Sequence, residues 1–379
     1  MTNIHPLLDR QKQVLARRYE KEKRLLGLAG TALSFVLLLA FYCSGLSSRL
    51  AHLFSGRSIS LAFFAYVGAL LAWISFLSLP LSYYAGYVHE HKWNFSTQTA
   101  IDWLLDQAKS FGLSLVLGSL LIALLLWIMA RFPGSWWLIT GLASALVSVI
   151  LAALFPVVIL PIFHRYTPIR DEELTESLRK ILAQEGLKSS GFYEEDMSRK
   201  TRKENAFLAG LGKTRRVVLG DNLVENMTNP EIVSIIAHEV GHYKHRHMWK
   251  GIALGMAQQV VVFYFLHLIM KAAFPAFLVS IRSNLSLVPL MIIIASAASG
   301  FLFGPLGNAL SRRMEKNADL YAITHIEEKR PFLAALAGLA DRNLANAYPA
   351  RWVKVLYYSH PPIGERLEIL ERFVKGGSR

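Results

Sequence analysis

The sequence predicts a mainly α, polytopic membrane protein: a helical bundle of about six transmembrane helices carrying a smaller α+β domain on the cytoplasmic side. Three observations predict it. The 379-residue chain is 53% hydrophobic and only 18% charged, with a mean hydropathy of +0.34. So little polar surface cannot cover a chain of this length in water, and a bilayer is the better solvent. Six stretches lack Asp, Glu, Lys and Arg and are long enough to cross a hydrocarbon core of ~30 Å. Lys and Arg are also distributed unevenly among the segments that join these stretches.

The six stretches are 25–48, 58–88, 110–130, 132–163, 251–270 and 283–311. The second and fourth exceed what a membrane needs and contain Pro80, and Pro133, Pro156 and Pro161, so each is a tilted helix or one that projects beyond the bilayer. The residues before Leu25 carry seven Lys and Arg, the segment 164–250 carries fifteen, and 312–379 carries twelve. The intervening segments expected on the other side carry only a few, such as Arg49, Arg57, Arg131 and Arg282. An even number of spans then puts both termini and the central segment on one face, which the positive-inside rule makes cytoplasmic. The division that follows is a basic N-terminal tail (1–24), a four-span membrane domain (25–163), a polar part (164–250), two further spans (251–311) and a second polar part (312–379).

A formal charge of +14 reads in this setting as topology and as attraction to anionic membrane lipids. Nucleic acid is not an expected partner, because the basic residues are spread along several segments and no nucleic-acid module accompanies them. Cys43 is the only cysteine, which excludes an internal disulfide and any cysteine-based zinc cluster. The first apolar run is long enough to span and lacks a small-residue exit, so no cleavable signal is expected.

The polar segment 164–250 has the pattern of a small folded unit. Residues 171–187 place apolar positions at helical spacing. "GFYEED" and "NAFLAGLGKTRRVVLGD" read as short strands, the second a hairpin about residues 212–214, and "GDNLVENM" begins a helix. Thr228 and Glu231 form a capping box, with Pro230 in the first turn, so 234–247, "SIIAHEVGHYKHRH", belongs to a helix.

That helix carries the chemistry. His238 and His242 are four apart and share a face, so both imidazoles can reach one ion, while Glu239 stands beside it as a general base. Two imidazoles and a carboxylate suit zinc. Beyond the sixth stretch, "SRRMEKNADLYA" again sets two carboxylates four apart: Glu315 can complete a His₂Glu set, and Asp319 can accept a hydrogen bond from a ligand histidine. An ordinary salt-bridged helix end, with Arg312, Arg313 and Lys316 alongside, is the other reading of that stretch. His245 and His247 are expected around the ligands or on the surface, and His89 and His91 in an interfacial loop.

At this point the chain resembles the type I CAAX prenyl protease family of integral-membrane zinc metallopeptidases. The blocks "LPLSYYAGYVHEHKWNFSTQT", "LFPVVILPIFHRYTP", "NAFLAGLGKTRRVVLGDNLV", "AHEVGHYKHRH", "SRRMEKNADLYA" and "YYSHPPIGERL" carry the resemblance, in that order, along nearly the whole length. It implies one zinc per chain at His238, His242 and Glu315, Glu239 as general base and Asp319 behind the ligands. It also implies that Asn205 and Ala206 hold the substrate backbone and that His360 helps to stabilise an oxyanion, with Arg366 supporting the same region. "NAFLAG" has independent sense as an exposed edge strand to which an extended peptide can add. His360 precedes Pro361, which holds its backbone extended, and a donor there suits an oxyanion. Phe207 stands where the family often has Tyr, which removes a phenolic hydrogen bond from the substrate site. Six spans instead of the seven of eukaryotic relatives, and a shorter chain, point to a bacterial member in the plasma membrane with its site facing the cytoplasm; a eukaryotic member is expected in the ER membrane. The substrate is then a peptide or protein, lipid-anchored or embedded in the membrane. The activity implied is removal of C-terminal residues after a prenylated cysteine, or membrane-protein quality control.

Two other peptidase types fit less well. A site-2 type intramembrane protease buries its H-E-x-x-H in a span, whereas here Lys244, Arg246 and Lys250 follow directly, and burying them is expensive. The heat-shock membrane protease has fewer spans before its motif. The alternative from another class is a metal transporter or a non-enzymatic zinc-binding scaffold. Transport needs ionisable groups along the spans, and these hold almost none besides His267.

Overall fold

The computed structural model describes residues 4–53, 59–274 and 285–376. Arg57, Arg282 and Arg379, which enter the charge count above, lie outside the described residues. Among those described, six helices are long and apolar enough to cross a membrane: Arg10–Cys43, Phe63–Lys92, Ala100–Arg131, Trp136–Phe163, His247–Ala273 and Leu285–His325. Phe41, Tyr66, Trp136, Met270 and Met291 meet in the buried core of this bundle. On its outside Phe76, Leu146 and Phe301 stay 72%, 64% and 81% exposed, which only a lipid environment makes favourable for side chains of this kind.

The first helix starts well before the apolar stretch. Asp9 caps it by accepting from the Gln11 and Lys12 amides, and Gln13, Ala16 and Tyr19 are buried. Gln13 Oε1 accepts from the Ala347 N–H (3.0 Å) and its Nε2 donates to Asp341 (3.2 Å). The basic N-terminal stretch is therefore a packed helix continuous with the first span. The second, fourth and sixth spans each contain a widened π-helical turn, at Tyr84–Val88, Phe155–Ile159 and Ala298–Phe303. Such turns re-aim a helix without ending it. The sixth span accordingly runs on through Gly304–His325, so Glu315 and Asp319 sit on a direct continuation of a membrane helix.

A second core gathers Leu178, Val217, Leu219, Ile236, Phe332 and Leu367. The two polar blocks, separated in sequence by the fifth and sixth spans, thus share one interior. Its sheet has the order β1-β2-β4-β3, with β1 Tyr166–Pro168, β2 Phe192–Glu195, β3 Ala206–Ala209 and β4 Arg216–Gly220. β1 and β3 pair antiparallel with their neighbours and β2 pairs parallel with β4, which leaves β3 at an edge. β3 ends at Gly210 (φ +90°), where a Cβ would lie 2.4 Å from the Thr214 carbonyl oxygen, so the hairpin requires glycine there.

The helix Asn229–Lys244 has the expected capping box, the Thr228 N–H donating to Glu231 at 2.8 Å. It does not run through His247. Arg246 adopts a left-handed conformation (φ 54°), and a new helix, the fifth span, starts at His247. The ladder tightens at this end, where the Arg246 N–H donates to the Tyr243 carbonyl at 2.8 Å. The reversal folds His247 back towards the preceding turn. His89, expected in a loop, is instead a buried helical residue stacked on Tyr19 and 3.3 Å from Glu22, while His91 stays exposed.

Candidate active site

His238, His242 and Glu315 converge. The two Nε2 atoms are 3.1 Å apart, His238 Nε2 lies 3.3 Å from Glu315 Oε2, and His242 Nε2 lies 3.3 Å from Glu315 Oε1. All three offer ligand atoms within 4.8 Å of one another. Ligands bonded at 2.0–2.1 Å to one tetrahedral ion stand about 3.3 Å apart, so the spacing fits zinc. Glu315 Oε2 is also buried, and among the described residues it has only the 3.3 Å approach of His238 Nε2, so a cation, or a proton on that ring, satisfies it. Burial opposes a charge on His238, but Asp319 and Glu315 outweigh it and raise the imidazole pKa to about 9. Without metal the pocket therefore draws a positive charge to the place where the three side chains meet.

Gly241 makes this convergence possible. A Cβ there would stand 3.0 Å from the backbone of Ala318, so the histidine helix lies directly against the helix bearing Glu315. Around the ligands, Asp319 Oδ1 is 2.9 Å from His238 Nδ1. The Arg366 guanidinium grips the same carboxylate, Nε donating to Oδ2 at 2.8 Å and Nη2 to Oδ1 at 2.5 Å. Asp319 and Arg366 are both buried. Arg366, expected to support the region of His360, lines the same recess as His360 and places two of its donors on Asp319. His247 is the neighbour of His242, their Nδ1 atoms 2.9 Å apart, while His245 stacks on His247. If His242 turns Nε2 to a metal, its Nδ1 carries the proton and donates to His247.

Glu239 and His360 line the same recess, about 430 Å³ in volume, together with Asn205 and Ala206. Burial raises the Glu239 carboxyl pKa above its ordinary value. His360 hangs over the ligands, its Nε2 3.3 Å from Glu315 and its Nδ1 2.9 Å from Ser359. The ring is largely exposed, and its partial desolvation against the recess lowers the imidazole pKa, in the direction of the neutral ring. Phe207 does not line this recess. It faces a larger cavity of about 730 Å³ on the far side of Asn205.

Residues 168–374 match the profile of "Peptidase family M48". The chain belongs to this family. Its M48 portion is preceded by a match over residues 2–165 to "CAAX prenyl protease N-terminal, five membrane helices", a stretch in which four spanning helices lie among the described residues. The M48 relatives include the metalloprotease YhfN of Bacillus subtilis, 29% identical over 94% of this chain and 85% of that protein. A CAAX prenyl protease 1 homolog of Oryza sativa is 30% identical over 81% of this chain and 72% of the relative. The crystal structure of S. mikatae Ste24p shares the fold, with a TM-score of 0.80, 24% identity, and coverage of 96% of this chain and 89% of that one. The chain is thus a membrane metallopeptidase like the CAAX prenyl proteases, and the transporter and scaffold readings fall away.

His247, expected around the ligands or on the surface, stands beside the ligand His242. Sequence reasoning missed two contributors. Asn343, and the pair formed by Arg342 Nε and the Glu204 carboxylate (2.6 Å), had no local signal, because they join segments more than a hundred residues apart.

Proposed function

We propose that this M48 peptidase holds one zinc ion on His238, His242 and Glu315 and cleaves extended peptides laid along the free edge of β3, drawing them from the membrane. The observation that carries this reading is the position of β3. Asn205 lines both the catalytic recess and the larger cavity, and that cavity is walled by Gly86, Phe155 and Leu160 at the π-turns of the second and fourth spans. A peptide on β3 therefore runs from the membrane ends of two spans to the metal ligands. A membrane-tethered substrate gains effective concentration from this placement, and a soluble one gains nothing.

Zinc held there would supply a Lewis acid able to lower the pKa of water towards 7 and to polarise a carbonyl. Glu239 takes the proton from the attacking water and delivers it to the leaving amine. Asn205 and Ala206 hold the substrate backbone, and His360 donates to the oxygen that becomes negative. Asp319 fixes the ring of His238, and Arg366 fixes Asp319. The catalytic unit comprises 164–250 and 312–379 together. Its cytoplasmic placement rests on the Lys and Arg distribution, and similarity to the Bacillus protein along nearly the whole chain favours a bacterial plasma membrane. The relatives named CAAX prenyl proteases suggest cleavage behind a lipidated cysteine as the substrate class, with quality control of membrane proteins as the alternative.

One peptide compared with and without a lipid anchor, on wild type and on Asn205→Ala, tests this reading. The anchored form should show the higher kcat/KM, and Asn205→Ala should lower the value for both. Equal values for the two peptides sink tethering, and an undiminished Asn205→Ala enzyme sinks the part assigned to that residue. Metal analysis of Glu315→Ala should show zinc lost together with activity, and full zinc content with full activity removes Glu315 from the ligand set. In oriented vesicles, protease should reach segment 169–250 from the same side as both termini; access from opposite sides contradicts the topology.

A further inference from the structure

The substrate edge of β3 has a built end. The Gly220 N–H donates to the Asn205 carbonyl (2.9 Å), so the backbone groups of Asn205 face β4. Alternation along the extended chain turns those of Glu204, Ala206 and Leu208 outwards, and before them the Arg202 N–H also points away from β4. Two of these four positions are already taken. The Arg202 N–H donates to the Phe95 carbonyl (2.8 Å), and Ser96 bridges to Thr201, so main chain from the 95–97 segment covers the edge there. At Glu204 the partner is a side chain. The Glu204 N–H donates to Asn343 Oδ1 (2.9 Å), and Asn343 Nδ2 donates to the Glu204 carbonyl (3.0 Å). One carboxamide thus makes both bonds that the next strand would make. Among the described residues, Ala206 and Leu208 are the two left for a peptide.

Asn343 is held in place for this. It caps the helix Arg330–Arg342, Leu344 behind it takes a left-handed conformation (φ 47°) that is unfavourable for a residue with a Cβ, and the Ala345 N–H closes the turn on the Ala340 carbonyl (2.8 Å). The neighbouring Arg342 pairs with the fully buried Glu204 carboxylate. Asn343 also borders both the catalytic recess and a further recess of about 410 Å³ behind His360, which reaches Tyr19 and Lys23 of the first helix.

We propose that Asn343 terminates the substrate strand. Resting on the reading that β3 holds the substrate, it makes the two sides of the cleaved bond unequal. Towards Leu208 the peptide pairs with the edge. On the other side it meets the Asn343 carboxamide, leaves the edge and turns into the recess behind His360. Asn343 is a positioning and specificity-determining residue: it sets where along a peptide the cut falls, and backbone pairing rewards length on one side only.

The test uses full-length, zinc-loaded protein and a peptide series lengthened on one side of the cut at a time, with cleavage sites mapped by mass spectrometry. In wild type, residues added towards Leu208 should raise kcat/KM, and residues added on the Asn343 side should not. Asn343→Ala frees both Glu204 backbone groups, so extension on that side should now raise kcat/KM about tenfold, the worth of two backbone hydrogen bonds, and cleavage sites should broaden. Asn343→Asp, which keeps the acceptor and the shape but loses the donor, should move in the same direction by less, and it decides the matter if the alanine variant does not accumulate. A uniform loss of activity across all lengths, with the wild-type length pattern kept, shows a structural role only and overturns the proposal. N-methylation of the peptide amide opposite Leu208 separates the two levels. If it has no effect on wild type, pairing on β3 is wrong and Asn343 cannot terminate it; if it lowers kcat/KM while the variants keep the wild-type length pattern, only the assignment of Asn343 fails.

Discussion

Glu239→Gln is expected to keep its zinc and lose its activity, with kcat falling by about 10²–10⁴, the usual contribution of a general base. The substitution changes almost no volume, and Glu239 is not among the three converging ligands, so metal content should stay at the wild-type level. What changes is the capacity to take a proton. A carboxyl whose pKa burial has already raised is well matched to a proton that must be accepted and then released within one turnover, and an amide can do neither. Zinc analysis beside single-turnover peptide cleavage checks both halves. Cleavage at near wild-type rate with zinc present would assign the proton to another group, with His360 a candidate in the same recess.

Much of this site was legible because it is written locally. A four-residue spacing puts His238 and His242 on one face in any helix, and the capping box at Thr228 and Glu231 fixes where that helix starts. The six spans follow from composition alone. The break at Arg246 was not legible, since a left-handed residue without glycine leaves no pattern, and that break is what brings His247 to His242. The stretch before Leu25 reads as a basic tail because its partners are distant in sequence; Gln13 bonds to Ala347 and Tyr19 to Glu90 at the end of the second span. The same holds for Asn343. Its carboxamide meets Glu204 through tertiary packing, and an asparagine after a helix end reads from sequence as an ordinary cap.

The buried pair Asp319–Arg366 should give the largest combined effect on folding and metal binding. Both groups are buried, and each satisfies the other with two hydrogen bonds. Asp319→Ala leaves the guanidinium without a partner in the interior, which costs about 3–5 kcal/mol. The stability of a typical domain is only about 5–15 kcal/mol, so the variant should unfold at markedly lower temperature in the metal-free state. It should also bind zinc about 10–100-fold more weakly, because nothing then holds His238 Nδ1 and its ring is free to turn. These two losses have different physical origins and can be separated. In Asp319→Leu/Arg366→Met the unpaired charge is gone and apolar groups of similar volume fill the space, an exchange that is often neutral or stabilising. Thermal unfolding of the metal-free double variant should therefore return towards wild type, while zinc affinity, read by competition with a chelator, stays low. Recovery of both would show that Asp319 serves Arg366 alone and that His238 needs no support. Recovery of neither would mean that the pair is required for the histidine helix and the Glu315 helix to meet at all.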